Sequence, residues 1–313
     1  MAESSGYDVA IVGGGAAGLS AALVLGRARR RVVVIDAGAP RNAPAAHMQG
    51  FLSRDGIPPA DFLAVGRDEV RGYGVELIEG HVEAIEPGFS VRLTGGPALD
   101  ARRVLIATGA RDELPDIPGV RERWGRDLLH CPYCHGWEVR DRPLGVLGTA
   151  PGSVGHALLV RQWSDDLAYF PHTSELVSGE LHELEARGVQ VISGVVARLV
   201  IEADRLVGVE MNDGRLILRA AVFIRPINRP HTDGLVTRLG CDVDDVGFPI
   251  IDATGRTSVP GVWAAGNVVD PRFQVVTSAG AGSAAAIAIN ADLVREDVER
   301  AVGGNVQVAS GSR

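Results

Sequence analysis

The chain has 313 residues, of which 46% are hydrophobic, and its formal net charge is −8. This length and hydrophobic content suit two compact domains with buried cores and exclude a largely disordered protein. The acidic balance, with no basic run longer than residues 29–31, argues against nucleic acid and against an anionic membrane surface. Small molecules or proteins are therefore the expected partners.

The cysteine content predicts a compartment. Three cysteines are too few for a disulfide framework in a chain of this size, which favours the cytoplasm. Cys241 stands alone and is interpreted as an ordinary half-buried thiol. Residues 9–26 carry no charge, but they include five glycines and are interpreted as strand, loop and helix rather than as a membrane span or signal core.

The first elements predict a βαβ unit with a parallel sheet. Residues 7–12 form an apolar run, residues 16–27 are rich in Ala and Leu, and residues 31–36 form a second apolar run. Residues 75–105 then come as short β-rich runs separated by Gly and Pro. They predict a small antiparallel sheet that ends at Ala107, Thr108 and Gly109.

The pattern restarts in the second half of the chain. It predicts alternating strands and helices at residues 144–148, 153–163, 167–170 and 173–187, and further strands up to residues 222–224. A strand at residues 261–265 and a helix at residues 278–295 follow. The predicted fold class is α/β, with two Rossmann-like, three-layer dinucleotide-binding domains, the second inserted into the first. The boundaries are residues 1–117 and 244–313 for the FAD-binding domain and 118–243 for an inserted NAD(P)-binding-like domain.

The first glycine loop predicts a dinucleotide site. Residues 13–18 fit G-x-G-x-x-G between a strand and a helix, and Asp36 ends the next strand. Glycines permit a tight turn and close approach of a pyrophosphate, the helix N-terminus attracts its charge, and Asp36 can accept from a ribose hydroxyl. The predicted contacts here are Gly13, Gly15, Ala16, Ala17, Gly18 and Asp36.

The second glycine loop, residues 148–155, fits the fingerprint poorly. Pro151 and the glycine spacing depart from it, and residues 171–175 contain no Arg or Lys to pair with a 2′-phosphate. NADPH binding is therefore doubtful. A domain that keeps the nucleotide-binding fold without its ligand is an open alternative.

Cys131, Cys134 and His135 form a Cys-x-x-Cys-His string, for which three chemistries compete. Haem attachment would imply export, which the interpretation of the N-terminal residues does not support. Zinc could take both cysteines with His130 or His135, but only Cys241 remains for a second pair, so no metal site is predicted. Redox exchange needs only two thiols at this spacing, a lowered thiol pKa and a proton carrier.

Over residues 7–293 the chain resembles the low-molecular-weight thioredoxin reductase family of flavoproteins. The motifs that carry the resemblance are the first glycine loop, Ala107-Thr108-Gly109, the cysteine pair, and residues 257–267 and 277–282. The resemblance implies FAD in the outer domain and a homodimer. It also implies that Cys134 is the thiol nearest the flavin and that Cys131 is the interchange thiol.

Further FAD contacts follow from the same resemblance. Position 267 is usually Asp in the family, and Asn267 would hydrogen-bond the ribityl chain. A helix that begins near Ala279 would direct its N-terminus at the isoalloxazine. The additional predicted contacts are Ala107, Thr108, Gly109, Gly266, Asn267, Gln274 and Val275.

The departures from the family pattern concern electron flow. Reductases of this family usually carry an Asp after the second cysteine, an intact second loop and a His-Arg-Arg cluster for NADPH; this chain has His135 and lacks the other two. Imidazoles with an ordinary pKa of about 6.5 suit proton transfer to and from thiols, so His135 is the predicted acid/base. His130 is the second candidate, and a purely structural role for it is open.

This combination resembles the dithiol oxidase branch, which closes disulfides in gliotoxin- and holomycin-type natural products. It predicts that a small dithiol, or a small thiol protein, is oxidised to a disulfide, with oxygen as acceptor and hydrogen peroxide as by-product. Two alternatives are open. One is an NADPH- or ferredoxin-dependent thioredoxin or disulfide reductase, and the other is a non-catalytic flavin-binding redox sensor.

Overall fold

The computed structural model describes residues 6–231 and 234–310, and the side chains up to residue 303. In chain order the strands are β1 (Tyr7–Val12), β2 (Val32–Asp36), β3 (Glu76–Glu79), β4 (Val82–Glu86), β5 (Ser90–Leu93), β6 (Ala98–Ile106), β7 (Arg111–Glu113), β8 (Leu128–Leu129), β9 (Leu144–Leu147), β10 (Leu167–Phe170), β11 (Gln190–Val191), β12 (Val196–Glu202), β13 (Arg205–Met211), β14 (Leu216–Leu218), β15 (Ala221–Ile224), β16 (Ile227–Arg229) and β17 (Val262–Ala264). The helices are α1 (Ala16–Arg27), α2 (Pro59–Arg71), α3 (Val120–Arg123), α4 (Pro132–His135), α5 (Ser153–Val160), α6 (Ser178–Ala186), α7 (Leu235–Arg238) and α8 (Val275–Ser310), with a 3-10 turn at Gly266–Val268.

The chain folds as two compact units. The first contains Met1–Arg41, Ala60–Arg111 and Arg229–Arg313, and the second contains Asn42–Pro59 and Asp112–Asn228. Both are built on parallel sheets, so the α/β class expected from the sequence is confirmed. The assignment of residues 118–243 to an NAD(P)-binding-like domain, with 1–117 and 244–313 as its FAD-binding counterpart, stays a prediction.

In the described residues of the first unit, a seven-stranded sheet runs β3-β2-β1-β6-β5-β4, with β17 also paired to β6. Apolar side chains of β1 and β2 are fully buried, because the sheet is covered on both faces. On one face α1 packs against α8 through Ala21, Ala22, Ala285 and Ile289. The predicted elements at residues 7–12 and 16–27 are confirmed to the residue.

The expected antiparallel sheet at residues 75–105 is partly wrong. Only β4, β5 and the start of β6 pair in that way, whereas β3 pairs parallel to β2. The strand β6 continues from Ala98 to Ile106, and its second half pairs parallel to β1. One strand therefore belongs both to the antiparallel part and to the parallel core.

The described part of the second unit contains a five-stranded parallel sheet, β11-β10-β9-β15-β8, and an antiparallel sheet, β12-β13-β14. The predicted helix at residues 173–187 is shorter than expected, since α6 begins only at Ser178. The Glu180 carboxylate accepts a hydrogen bond from the Val177 amide at 3.2 Å and fixes that start. The helix α5 likewise ends at Val160 rather than at residue 163.

The last helix is longer than the predicted residues 278–295. It runs from Val275 to Ser310, and ion pairs connect its turn at residues 296 and 297 to β6. Arg102 bonds Asp297 at 2.5 Å, and Arg103 bonds Glu296 at 2.7 Å. Among the helices of the described residues, none is both long enough and apolar enough to cross a membrane.

Asp292 of α8 lies between two guanidinium groups. Its carboxylate accepts from Arg103 at 2.7 Å and from Arg256 at 2.6 Å. Burial raises the pKa of Asp292, but these hydrogen bonds outweigh it and the pKa lies below its ordinary value. We expect Asp292→Asn to lower the free energy of unfolding by about 1–3 kcal/mol at neutral pH, measured by urea denaturation.

The pH dependence of this difference in unfolding free energy tests the role of the Asp292 carboxylate. The contribution of a carboxylate with a depressed pKa is complete above its unfolded-state pKa of about 3.9 and is lost as the pH falls through the folded-state value. The difference between wild type and variant should therefore shrink below about pH 4. Asp68→Asn is the control, because the Asp68–Arg71 pair is exposed and should change stability by under about 0.5 kcal/mol. Equal losses of unfolding free energy in Asp292→Asn and Asp68→Asn would contradict the prediction.

Candidate active site

Several predicted cofactor residues of the first unit meet at one edge of its parallel sheet. Val12 pairs with Ile35 of β2 and with Ile106 of β6, so the three strands end side by side. The glycine loop, Asp36 and Ala107 follow those strand ends directly. In open α/β sheets the crevice at the carboxyl ends of the strands is where nucleotides bind.

The glycine loop contacts its neighbours closely. A side chain at Gly13 would lie 2.3 Å from the carbonyl oxygen of Ala107 and 3.1 Å from the amide of Thr108. One at Gly18 would lie 1.8 Å from the Gly13 oxygen. At Gly15, by contrast, nothing lies within 4 Å of the position that a Cβ would take. The loop is therefore closed on the side of the sheet and open on the side where a pyrophosphate would approach.

Asp36 lies beside the loop, since a Cβ at Gly14 would be 2.9 Å from its carboxyl group. Arg67 of α2 pairs with one carboxylate oxygen of Asp36 at 3.0 Å. No spacing in the sequence indicated this partner. The pair holds the carboxylate, whose side chain is 26% exposed, at the strand end where a ribose hydroxyl would be bound.

Asn267 shapes the segment that leads into α8. Its amide nitrogen donates to the carbonyl oxygens of Asp270 at 3.0 Å and Phe273 at 2.9 Å. Both amide hydrogens are thereby engaged, and Oδ1 is left as an acceptor, which is what a ribityl hydroxyl requires.

The neighbouring residues of this segment also approach the glycine loop. Gly266 contacts Ala17 so closely that an added Cβ would lie 2.8 Å from the Ala17 side chain. Gln274 and Val275 stand at the start of α8, where the Ser278 amide donates to the Gln274 oxygen. A Cβ at Gly109 would have no atom within 4 Å. Ala16, the first residue of α1, and Thr108 complete the predicted contacts at this strand edge.

Two serine hydroxyls bond carbonyl oxygens of the second glycine loop. Ser153 Oγ donates to the Ala150 oxygen at 2.6 Å, and Ser174 Oγ donates to the Gly148 oxygen at 2.9 Å. A Cβ at Gly152 would meet the Arg225 guanidinium at 2.8 Å. Residues 171–175 lack Arg and Lys, and His172 Nδ1 already accepts from the Val196 amide at 3.1 Å. Residues 171–175 thus offer no Arg or Lys to the 2′-phosphate of NADPH.

The cysteine pair begins a helical turn. Cys131 and Cys134 are joined by a disulfide, with their Cα atoms 5.2 Å apart. Cys131 is the N-cap of α4, in extended conformation, and Pro132 suits the first helical position because it has no N–H to leave unpaired. The Cys134 amide donates to Cys131 Sγ at 3.2 Å. After reduction this bond would favour a thiolate at Cys131 and lower its pKa.

His135 follows the pair on the same turn and is largely neutral at physiological pH. Burial lowers the pKa of His135 below its ordinary 6.5, and the Glu138 carboxylate opposes this shift. A neutral imidazole next to a dithiol is ready to accept a thiol proton.

His130, before the pair, stacks on His156 of α5, with ring centroids 6.0 Å apart and an interplanar angle of 16°. The sequence did not indicate His156. Burial, and then the Arg225 guanidinium, lower the pKa of His156 to about 4, although a hydrogen bond with the His130 backbone raises it. His156 is therefore neutral across the working range of an enzyme, and it supports the segment that leads into Cys131.

Aromatic side chains frame the cysteine turn in a way that the spacing did not reveal. A Cβ at Gly136 would lie 2.8 Å from the ring of Trp163, so the turn rests directly on that ring. Tyr133 contacts Trp163 edge-on, with centroids 5.5 Å apart. Trp137 is covered on one side by the Arg140 guanidinium, 3.8 Å from the ring centroid. The i, i+3 spacing of Trp137 and Arg140 was the available signal.

The third cysteine lies in the first unit. Cys241 is buried and free, and burial raises the pKa of its thiol. The described residues contain no group of three or more His, Cys, Asp or Glu side chains placed to hold a metal ion.

With this geometry in view, the comparisons with known proteins identify the family. The model of the family described as pyridine nucleotide-disulphide oxidoreductase matches residues 7–283. The chain belongs to this family. It is an enzyme of the thioredoxin reductase-like type, as the sequence resemblance implied.

Three relatives show how close the match is. The crystal structure of HlmI is 59% identical, covers 99% of each chain and superposes with a TM-score of 0.95. The crystal structure of thioredoxin reductase from Streptococcus pyogenes is 26% identical, over 94% of this chain and all of that one, with a TM-score of 0.84. Thioredoxin reductase tcpT of Claviceps purpurea is 31% identical over 85% of this chain and 88% of that protein.

Members of this family are FAD flavoproteins, and its NADPH-dependent members also use the second nucleotide site. The residues of the first unit fit FAD: the cradle is open at Gly15, Asp36 is held at the strand end, and Asn267 offers an acceptor. The doubt about NADPH in the second unit stays a prediction.

Gly15→Val tests the cradle. Gly15 has φ −78° and open space around its Cβ position, so we expect the flavin-free variant to unfold within about 3 °C of the flavin-free wild type. The isopropyl group would, however, occupy the path of the pyrophosphate. Flavin content, measured as the visible flavin absorbance relative to the protein band, should fall to a small fraction of the wild-type value.

Gly155→Val is the matched control, because Gly155 also has no atom within 4 Å of its Cβ position but lies in the second unit. It should retain the wild-type flavin content. Full flavin content in Gly15→Val would show that the cofactor does not approach this loop.

Proposed function

We propose that this protein is an FAD-dependent dithiol oxidase that converts a substrate dithiol to a disulfide with oxygen as electron acceptor. The observation that carries the proposal is the hydrogen bond of the Cys134 amide to Cys131 Sγ, in a disulfide flanked by the neutral His135. The proposal includes a homodimer and a cytoplasmic location, which rest on the family resemblance and on the cysteine content.

Two exchange steps transfer the electron pair from the substrate to the cysteines. His135 accepts the proton of a substrate thiol, and the thiolate attacks Cys131 Sγ, so that a mixed disulfide forms and Cys134 is released as a thiolate. The second substrate sulfur, once deprotonated, attacks the substrate sulfur of the mixed disulfide and releases Cys131. The substrate leaves as a disulfide with two electrons and two protons fewer.

The hydrogen bond to Cys131 favours the second step. A thiol of lower pKa leaves faster in thiol-disulfide exchange, and the Cys134 amide stabilises the departing Cys131 thiolate. When bound, FAD would supply the two-electron acceptor that lets the cysteines re-form their disulfide, and oxygen as final acceptor would become hydrogen peroxide.

The state of the second glycine loop supports oxidation over reduction. A reductase of this family needs NADPH as electron source, but the Ala150 amide of this loop already donates to Ser153 Oγ, and residues 171–175 contain no Arg or Lys for a 2′-phosphate. With a dithiol as the electron source, no nicotinamide is needed. The 59% identity with HlmI over nearly the whole chain is in keeping with a shared site.

Anaerobic reduction of the flavin tests the direction of electron flow. We expect dithiothreitol to bleach the flavin faster than NADPH does, and Cys134→Ser to slow the bleaching by about a hundredfold or more while FAD stays bound. Cys241→Ala is the matched control, because it removes a thiol that is buried elsewhere.

The two alternative functions give different results in this experiment. Rapid bleaching by NADPH would favour a disulfide reductase, and bleaching by reduced ferredoxin alone a ferredoxin-linked one. With air present, an oxidase continues to consume oxygen in excess dithiol. A redox sensor stops after one turnover.

The pH profile tests the role of His135. Activity should fall on the acid side as His135 becomes protonated, with the midpoint below pH 6.5 because burial lowers its pKa. Glu138 raises that pKa, so Glu138→Gln should move the midpoint to still lower pH. His135→Gln should remove this limb of the kcat/KM profile. If the acid limb of the kcat/KM profile is the same in wild type, Glu138→Gln and His135→Gln, the base is another group.

A further inference from the structure

An arginine side chain joins two distant segments at the cofactor edge of the first unit. Residues 37–41 follow β2 directly, and residues 266–273 form the turn between β17 and α8. Arg41 Nη1 donates to the carbonyl oxygen of Pro271 at 2.5 Å. The two bonded residues are 230 positions apart in the sequence, so this hydrogen bond fixes one segment against the other.

Close contacts connect the other ends of both segments to the first glycine loop. Asp36, just before the first segment, lies 2.9 Å from the position of a Cβ at Gly14. Gly266, at the start of the turn, approaches Ala17 so closely that its added Cβ would be 2.8 Å from the Ala17 side chain. Gly14 and Ala17 are three residues apart in the sequence. These two contacts and the Arg41 hydrogen bond therefore close a ring of chain segments.

The ring contains the residues that fit FAD. Asp36, at one end of the first segment, is held where a ribose hydroxyl would be bound, and Asn267 of the turn offers an acceptor to the ribityl chain. Between Gly14 and Ala17 lies Gly15, with nothing within 4 Å of its Cβ position. A dinucleotide that reached from Asp36 across Gly15 to Asn267 would have its pyrophosphate between the two segments.

The two segments differ in how firmly they are held. In the turn, the Asn267 amide bonds two main-chain carbonyl oxygens, and Arg272 pairs with the Asp270 carboxylate at 2.7 Å. Residues 37–39 are exposed, and Gly38 has a φ of 72°, which glycine adopts without steric cost. The first segment can therefore move about Gly38 when its hydrogen bond to the turn is broken, whereas the turn stays in place.

We propose that residues 37–41 form a strap that retains FAD, and that the hydrogen bond of Arg41 to the Pro271 carbonyl oxygen keeps this strap closed. Arg41 is a positioning residue, because it acts through the strap and not on the reacting atoms. Hydrogen bonds from a charged donor are among the stronger ones in proteins, and FAD leaves from the molecules in which this bond is broken. The proposal concerns the cofactor and does not depend on the direction of electron flow.

The test measures how fast FAD leaves the holoprotein. Bound FAD is exchanged against an excess of 5-deaza-FAD, samples are desalted at intervals, and the loss of the long-wavelength FAD absorbance from the protein gives the dissociation rate constant. We expect Arg41→Leu to raise this constant by about tenfold to a hundredfold, which is the range for one hydrogen bond to a charged group. Arg41→Lys, which can still donate to Pro271, should raise it less. The rate constant for FAD association with the flavin-free protein should not fall, because the strap is open in Arg41→Leu.

Arg272→Leu is the matched control. Arg272 is an arginine of the same turn, but its side chain is 83% exposed and it pairs with Asp270 inside the turn instead of joining two segments. It should leave both rate constants of FAD unchanged. The unfolding temperatures of the flavin-free proteins show whether each variant folds, and Arg41→Lys provides the comparison if Arg41→Leu does not.

An unchanged dissociation rate constant in both Arg41 variants, or an equal rise in Arg272→Leu, would overturn the proposal. A slower association of FAD with Arg41→Leu that appears at low salt and vanishes at high salt would overturn it as well. That result would show that the Arg41 charge attracts the pyrophosphate directly, since only an electrostatic effect is screened in this way.

Discussion

The hydrogen bond from the Cys134 amide to the Cys131 sulfur links the chemistry of this protein to its backbone. It exists because Cys131 caps a helical turn whose first position is Pro132. The turn in turn requires Gly136, since any larger residue would collide with the Trp163 ring on which the turn rests. The thiolate proposed at Cys131, the position of His135 and the exposed aromatic rings all follow from this one turn.

The two glycine loops differ in what their backbone offers to a ligand. In the first unit, Gly13 and Gly18 lie in close contact with backbone atoms, whereas nothing lies within 4 Å of the Cβ position of Gly15. In the second unit, the Ala150 amide already donates to Ser153 Oγ at 3.3 Å. This N–H therefore has less to gain from a phosphate oxygen.

The sequence predicted β1, α1, β2 and the glycine loop because their signals are local: unbroken apolar runs and glycines at fixed spacing. It did not predict that β3 joins the parallel sheet, since strand partners are chosen by residues far away in the chain. The turn of α8 just after residue 295 was missed for a similar reason, because arginines of β6 pair with Glu296 and Asp297. His156 beneath His130 and Arg67 beside Asp36 are contacts across folded elements, which no spacing rule reveals.

Asn267 has a consequence for substitutions at its own position. Both of its amide hydrogens go to main-chain oxygens of the turn that leads into α8, so the side chain shapes that turn. The carboxylate of an aspartate has no hydrogen to donate and would set negative charge against the two carbonyl oxygens. Asn267→Asp would therefore require a different conformation of this turn.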